Sequence, residues 1–164
     1  MKKVLLLVVT MLSSMTIHAQ NLDKHAITSK IGKQLFSQID ETFFKDSIAI
    51  YSFAITIRIT HAGKKAIVRE VGSNDSVAFK IFRNLDTLKS IDFSKLTSRQ
   101  RSVRLIVPVA ILIMAHKQTP QNGSVLVTDL KQSIEKLFDV PKPDIDKDIY
   151  LDPYIIRMDL NTYD

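Results

Sequence analysis

The residues of this chain best placed to do chemistry form a run of alternating acids. In "PDIDKDIYLD", Asp144, Asp146 and Asp148 are followed by Asp152. A D-x-D-x-D start can turn alternate carboxylates toward one cation, as in a helix–loop–helix calcium loop. Such a loop also needs glycine at its sixth position and usually glutamate at its twelfth. Those positions hold Ile149 and Ile155, so a solvated loop with Lys147 interleaved among the acids is the better reading. Past residue 19 the histidines are His25, His61 and His116, without H-x-x-H or H-E-x-x-H spacing for zinc. His61, next to a glycine turn, reads as a solvated loop residue. There is no G-x-S-x-G nucleophile elbow, and the four glycines are too scattered for a phosphate-cradling loop. With no cysteine, disulfides, thiol catalysis and a lipid-modified cysteine are excluded. No catalytic, cofactor-binding or metal-binding residue is assigned. Asn74-Asp-Ser76 and Asn122-Gly-Ser124 match the glycosylation acceptor pattern, which matters only in a eukaryotic secretory route.

Basic residues gather at Lys95, Arg99, Arg101 and Arg104, just before the most apolar internal stretch. They can dock an acidic surface, or act as a solvated linker that keeps a hydrophobic strand from aggregating. The chain opens with "MKKVLLLVVTMLSSMTIHAQ": Lys2 and Lys3, an apolar run from Val4 to Leu12, and small or polar residues up to Ala19. That order is the pattern of a secretory signal peptide cleaved after Ala19, and its apolar run falls short of the roughly 20 residues a membrane-spanning helix needs. Its removal takes the formal charge from +6 to +4. The expectation is one domain over residues 20–164, exported, most simply to a Gram-negative periplasm, with no stable membrane anchor after cleavage. A mild positive charge without a dense basic tract argues against nucleic acid as a partner.

The elements follow from hydrophobic period. In "ITSKIGKQLFSQIDETFFK", Ile27, Ile31, Leu35, Ile39 and Phe43 recur every four residues, predicting an amphipathic helix with Thr28 or Ser29 as N-cap. In "AIYSFAITIRIT" the period becomes two, with Ala49, Tyr51, Phe53, Ile55, Ile57 and Ile59 on one face of a half-buried strand. Gly63 supplies the positive φ of a tight turn into a returning strand, "AIVREV". Asp75 or Ser76 then caps a helix over "SVAFKIFRNLDTLKSI", striped by Val77, Ile81, Leu85 and Leu88.

A polar linker, "DFSKLTSRQR", leads to "RSVRLIVPVAILIMAHK". From Leu105 to Ala115 there is no charge, and Pro108 sits inside, where it would break a helix. This is a core strand, with one edge unpaired or bulged near Pro108. After a turn-rich loop, "TDLKQSIEKLF" forms a short helix striped by Leu130, Ile134, Leu137 and Phe138, and "YIIRMDL" has the character of an added edge strand. The fold class is α+β: a small antiparallel sheet with a strand-strand-helix-strand core over residues 48–114, packed with an N-terminal amphipathic helix and a short C-terminal helix.

That order, the "THAGKKAIVREVGS" hairpin and the "RLIVPVAILI" strand resemble the C-terminal domain of TonB energy transducers, in Gly63 and in Val107-Pro108-Val109. The chain has no tryptophan, where the family usually carries Trp-Pro before its last strand. It also departs from the family's uncleaved membrane helix and Pro-rich spacer, so energy transmission is not expected. The resemblance implies a non-enzymatic envelope module that binds a protein or an extended peptide by strand addition. The pairing edge would be the last core strand, through Val103, Leu105, Val107, Val109, Ile111 and Ile113, with Arg101 and Arg104 at its approach. The alternative is that the C-terminal tail covers that edge. Two other functions stay open: a carrier of a small ligand or ion, and a small enzyme with a site on the loops at 61–65, 72–76 and 116–124.

Overall fold

The computed structural model describes residues 24–44, 49–63, 65–97, 101–115, 127–140 and 147–160. The predicted signal segment, Arg99, Asp144, Asp146 and the whole 116–124 loop, with His116 and the Asn122 motif, lie outside them. The fold is α+β, with helices packed against one five-stranded mixed sheet. Helix α1 covers residues 24–36. Strands β1 (Ala49–Ala62) and β2 (Lys65–Ser73) form a hairpin. Two short helices follow, α2 (Ala78–Ile81) and α3 (Ser94–Thr97), then β3 (Ser102–Ala115), α4 (Val127–Phe138), β4 (Lys147–Tyr150) and β5 (Tyr154–Leu160).

α1 packs by the stripe its period announces: Ile27, Ile31, Leu35 and Ile39 are buried, and Phe43 is partly so. The helix stops sooner than that stripe. Asp40 accepts a hydrogen bond from Thr42 N and starts a separate 3-10 turn over Glu41–Phe43. Thr28 and Ser29 lie inside α1 instead of capping it, and Thr28 Oγ1 bonds back to Lys24 O at 2.9 Å. β1 and β3 run antiparallel in one uninterrupted register, so their odd-numbered residues share a face. On that face Phe53, Ile55, Ile57 and Ile59 meet Val103, Leu105, Val107, Val109, Ile111 and Ile113, all of them buried.

The helix expected over residues 76–91 is broken. α2 lasts one turn, Phe82 turns extended, and a second 3-10 turn covers Leu85–Ser90, capped by the Asn84 side chain. The cause is a backbone exchange with the end of α1. Asp40 N donates to Ile81 O and Arg83 N to Gln38 O, both at 2.8 Å, making a bridge between Ile39 and Phe82. The "linker" before β3 is also more than polar: Phe93 and Thr97 are buried.

The turn glycine has φ +64°, and an added Cβ there would meet nothing within 4 Å. Any cost of substitution is therefore purely backbone. Gly63→Val should destabilise by about 1–2 kcal/mol and Gly63→Asn by much less, because asparagine tolerates the left-handed region. Urea unfolding of the two variants checks this; equal stabilities would contradict the turn.

The C-terminal strands complete the sheet. Its order is β2-β1-β3, and β4 and β5 both lie against the far edge of β3, one after the other and parallel to it. β4 pairs with Val103–Ile106 and β5 with Val109–Ala115. Since Arg101 O accepts from His61 N in β1, alternation points the backbone groups of even-numbered β3 residues toward β4 and β5. Ile106 O accordingly accepts from Leu151 N at 2.9 Å. Pro108, the next even position, falls between the two ladders, where its missing N–H forfeits no bond.

Candidate functional site

The residues read as a pairing edge do not form one. Val103, Leu105, Val107, Val109, Ile111 and Ile113 point into the core, and β3 is hydrogen-bonded on both sides, to β1 and to the tail. The open edge on β3 is thus corrected and the alternative holds: the chain's own C-terminal strands fill it. Arg104 belongs to that closure. Its Nε and Nη2 donate to Asp148 Oδ1 and Oδ2, each at 2.9 Å, clasping β3 to β4. The Arg104 side chain is 8% exposed, so it offers nothing to an acidic surface. Arg101 remains exposed.

The acidic run is used in the same way. Asp148 holds Arg104, and Asp152 accepts from Lys24 Nζ at 3.0 Å, tying the tail to α1. His25 Nδ1 lies 3.9 Å from the other Asp152 oxygen. Among the described residues no three His, Asp or Glu side chains are grouped to hold a metal ion. His61 is in β1, not in a solvated loop. Thr97 Oγ1 donates to Phe93 O, so it accepts from His61 Nε2–H at 3.1 Å, and the buried Nδ1 has no partner among the described residues.

α4 lies over the even-numbered face of β1 in a way its stripe does not announce. Ser52 Oγ donates to Ser133 O at 2.7 Å. Asn74 Nδ2 donates to Lys136 O and Asp139 O at the helix C-terminus, and Asn74 Oδ1 accepts from Ala54 N. These polar contacts turn the apolar stripe outward: Leu130, Ile134 and Phe138 are exposed, and only Leu137 is half-buried. Asn74, noted in the sequence for a glycosylation pattern, is thus a clamp onto carbonyls more than 60 residues away. No local signal marks it.

Between α4 and β1 lies a cavity of about 390 Å³, lined by Ile50, Tyr51, Ser52, Asp75, Val77 and Ser133 among others. Several of its polar groups already serve the fold: Ser52 is bonded to Ser133, and Asp75 to Lys136 at 3.1 Å. The Asp75 carboxyl is held below the usual carboxylate range, first by the Val77 N–H it accepts and then by Lys136. A depressed folded-state pKa gives stability that is present above the ordinary value and lost as pH falls through the folded one. Acidification below about pH 4 should therefore loosen the attachment of α4. Asp75→Asn should flatten that dependence in urea midpoints measured at two pH values, and an unchanged slope would count against the clamp.

The remaining feature is the outer rim of the sheet. One rim, β2, is guarded. A bulge opposite Arg58 and Ile59 leaves Arg69 as the extra residue, Lys65 and Glu70 add charge, and the outward Ala66 N–H is taken by Ser94 Oγ at 3.1 Å. Bulges, charges and covering loops are the usual ways in which proteins block edge pairing. The other rim, β5, carries the charges of Arg157 and Asp159 but has no bulge within Tyr154–Leu160 and, among the described residues, no side chain bonded across its outer backbone groups. Its even-numbered residues bond to β3, so Ile155, Arg157 and Asp159 turn their N–H and C=O groups outward. Among the described residues no hydrogen bond reaches them there. Ile155 is 59% exposed. α1 supports this strand, with the Tyr154 ring lying over Gly32, where no side chain intervenes. No family model, curated protein or solved structure matches the chain.

Proposed function

We propose that this protein is an exported, non-enzymatic interaction module of the cell envelope, and that it takes an extended protein segment along the outer edge of β5. The observation that carries this reading is the contrast between the two rims. β2 is bulged and partly covered, whereas β5 presents an unbroken row of backbone donors and acceptors beside an exposed Ile155. Such a row is a template for one more strand, with main-chain hydrogen bonds giving affinity and alternate side chains giving specificity. The resemblance of the 48–114 region to the TonB C-terminal domain supports the same class of function. The pairing edge moves from β3 to the strand that covers β3.

The test is site-specific photo-crosslinking in cells, with the photoreactive residue at Arg157 on β5 or at Arg69 on β2. Protein adducts from position 157 and few from position 69 are expected. Adducts from 69 alone, or from neither, would overturn the reading.

A further inference from the structure

We propose that the strand β5 accepts is the β5 of a second copy of this protein, paired antiparallel about a two-fold axis through Met158. This rests on reading β5 as a pairing edge and names its occupant.

The sequence of β5, "YIIRMDL", selects both partner and register. An antiparallel two-fold pairing must keep the core face of one strand level with that of the other, so the axis passes through a residue position. Centred on Arg157, it sets two arginines opposite each other; centred on Asp159, two aspartates. Like charges directly opposite are destabilising. Centred on Ile156, it sets Pro153, which has no N–H, against Asp159 of the partner subunit and leaves the charges unmatched.

Centred on Met158, Arg157 falls opposite Asp159 of the partner subunit, and Asp159 opposite the partner's Arg157. The flanking apolar positions match as well, Ile156 with Leu160 of the partner subunit and Met158 with its own copy. Backbone parity agrees. Arg157 and Asp159 carry the outward N–H and C=O groups, so each charge-matched position is also a hydrogen-bonded pair, and Met158 is the close non-hydrogen-bonded pair on the axis. The same two residues thus satisfy charge, face and hydrogen-bond direction in one register. The product is a continuous sheet running through both copies, with the guarded β2 strands at its two ends.

The test is a charge swap read by sedimentation equilibrium of the purified protein, from about 1 to 100 μM, where a contact of this small size should associate. The wild-type protein is expected to dimerise in that range. Arg157→Asp and Asp159→Arg should each weaken association about tenfold or more, since each turns two attractive pairs into two repulsive ones. The double variant, which restores matched charges, should recover the dimer and shows that the single variants act through pairing and not folding. Because the chain has no cysteine, Met158→Cys gives a second readout: oxidation should link it to its own copy, and Ile155→Cys should not link.

A wild-type protein monomeric at the highest concentration would overturn the proposal, as would a dimer indifferent to both charge reversals. If it is monomeric while crosslinks from position 157 still reach other proteins, the self-pairing fails and the reading of β5 as a docking edge stands. If both are absent, both fail.

Discussion

Arg104→Ala should lower the unfolding free energy by about 3–4 kcal/mol and detach β4 from the sheet. Both ends of the clasp are largely out of water, the Arg104 side chain at 8% exposure and Asp148 at 21%. Removing the guanidinium leaves a carboxylate whose two oxygens have lost charge-assisted donors, in a strand of only four residues. The penalty is that of an uncompensated, poorly hydrated charge, which exceeds what the pair contributes to stability when intact. Replacing both partners, Arg104→Met with Asp148→Leu, should therefore cost much less than the single change. Urea unfolding of the three variants decides it: a loss below about 1 kcal/mol for Arg104→Ala would mean that β4 is not held in this way.

Phe82→Ala should cost about 3–4 kcal/mol. Its ring is 2% exposed and meets Phe53 edge-on, with centroids 5.9 Å apart and planes at 83°. Phe53, from the middle of β1, is fully buried, so the pair joins the sheet to the layer that covers it. Part of the loss should be shared: the double variant with Phe53→Ala should fall short of additivity by roughly 0.5–1.5 kcal/mol, the worth of an edge-to-face pair beyond its area. Strict additivity would show that the two rings do not touch. Phe82 also sits in the extended bridge to Ile39, so Phe82→Leu, which keeps most of the volume and the backbone exchange, should recover much of the stability.

What could be read from the sequence follows the range of the interactions. The face of α1 is legible because Ile27, Ile31 and Leu35 repeat at the helical period and all are buried. β1 is legible from its alternation, the hairpin from Gly63, and the break near Pro108 from the missing donor. The errors lie where a distant segment decides. Residues 76–91 carry a good helical stripe, but Arg83 N donates to Gln38 O and Ile81 O accepts from Asp40 N, and this exchange draws Ile81–Arg83 out of it. α4 carries an equally good stripe, and Ser52 and Asn74 hold its other side to the sheet.

The candidate site depended on the same kind of information. Arg104 looked like one of four basic linker residues because its partner, Asp148, stands 44 positions later. "YIIRMDL" was legible as an added edge strand. What it lies against stays open in the sequence, between an uncovered β3 edge and one covered by the tail, because parallel pairing leaves no short turn between the strands to announce it. The move of the pairing edge from β3 to β5 is a direct consequence.

The most direct test of that edge is residue-resolved amide exchange along β5, with dilute and concentrated protein compared. In dilute solution the amides of Ile156 and Met158, which donate to β3, should exchange slowly, and those of Ile155 and Arg157, which point outward, should exchange fast. When a strand is added, at high concentration or with a bound partner, Ile155 and Arg157 should become slow while the outward Val68 and Val71 of β2 do not change. Slow exchange at Ile155 and Arg157 in dilute solution would mean that the edge is already covered within one chain. Fast exchange at those two amides under every condition would mean that nothing pairs there, and either result would contradict the account.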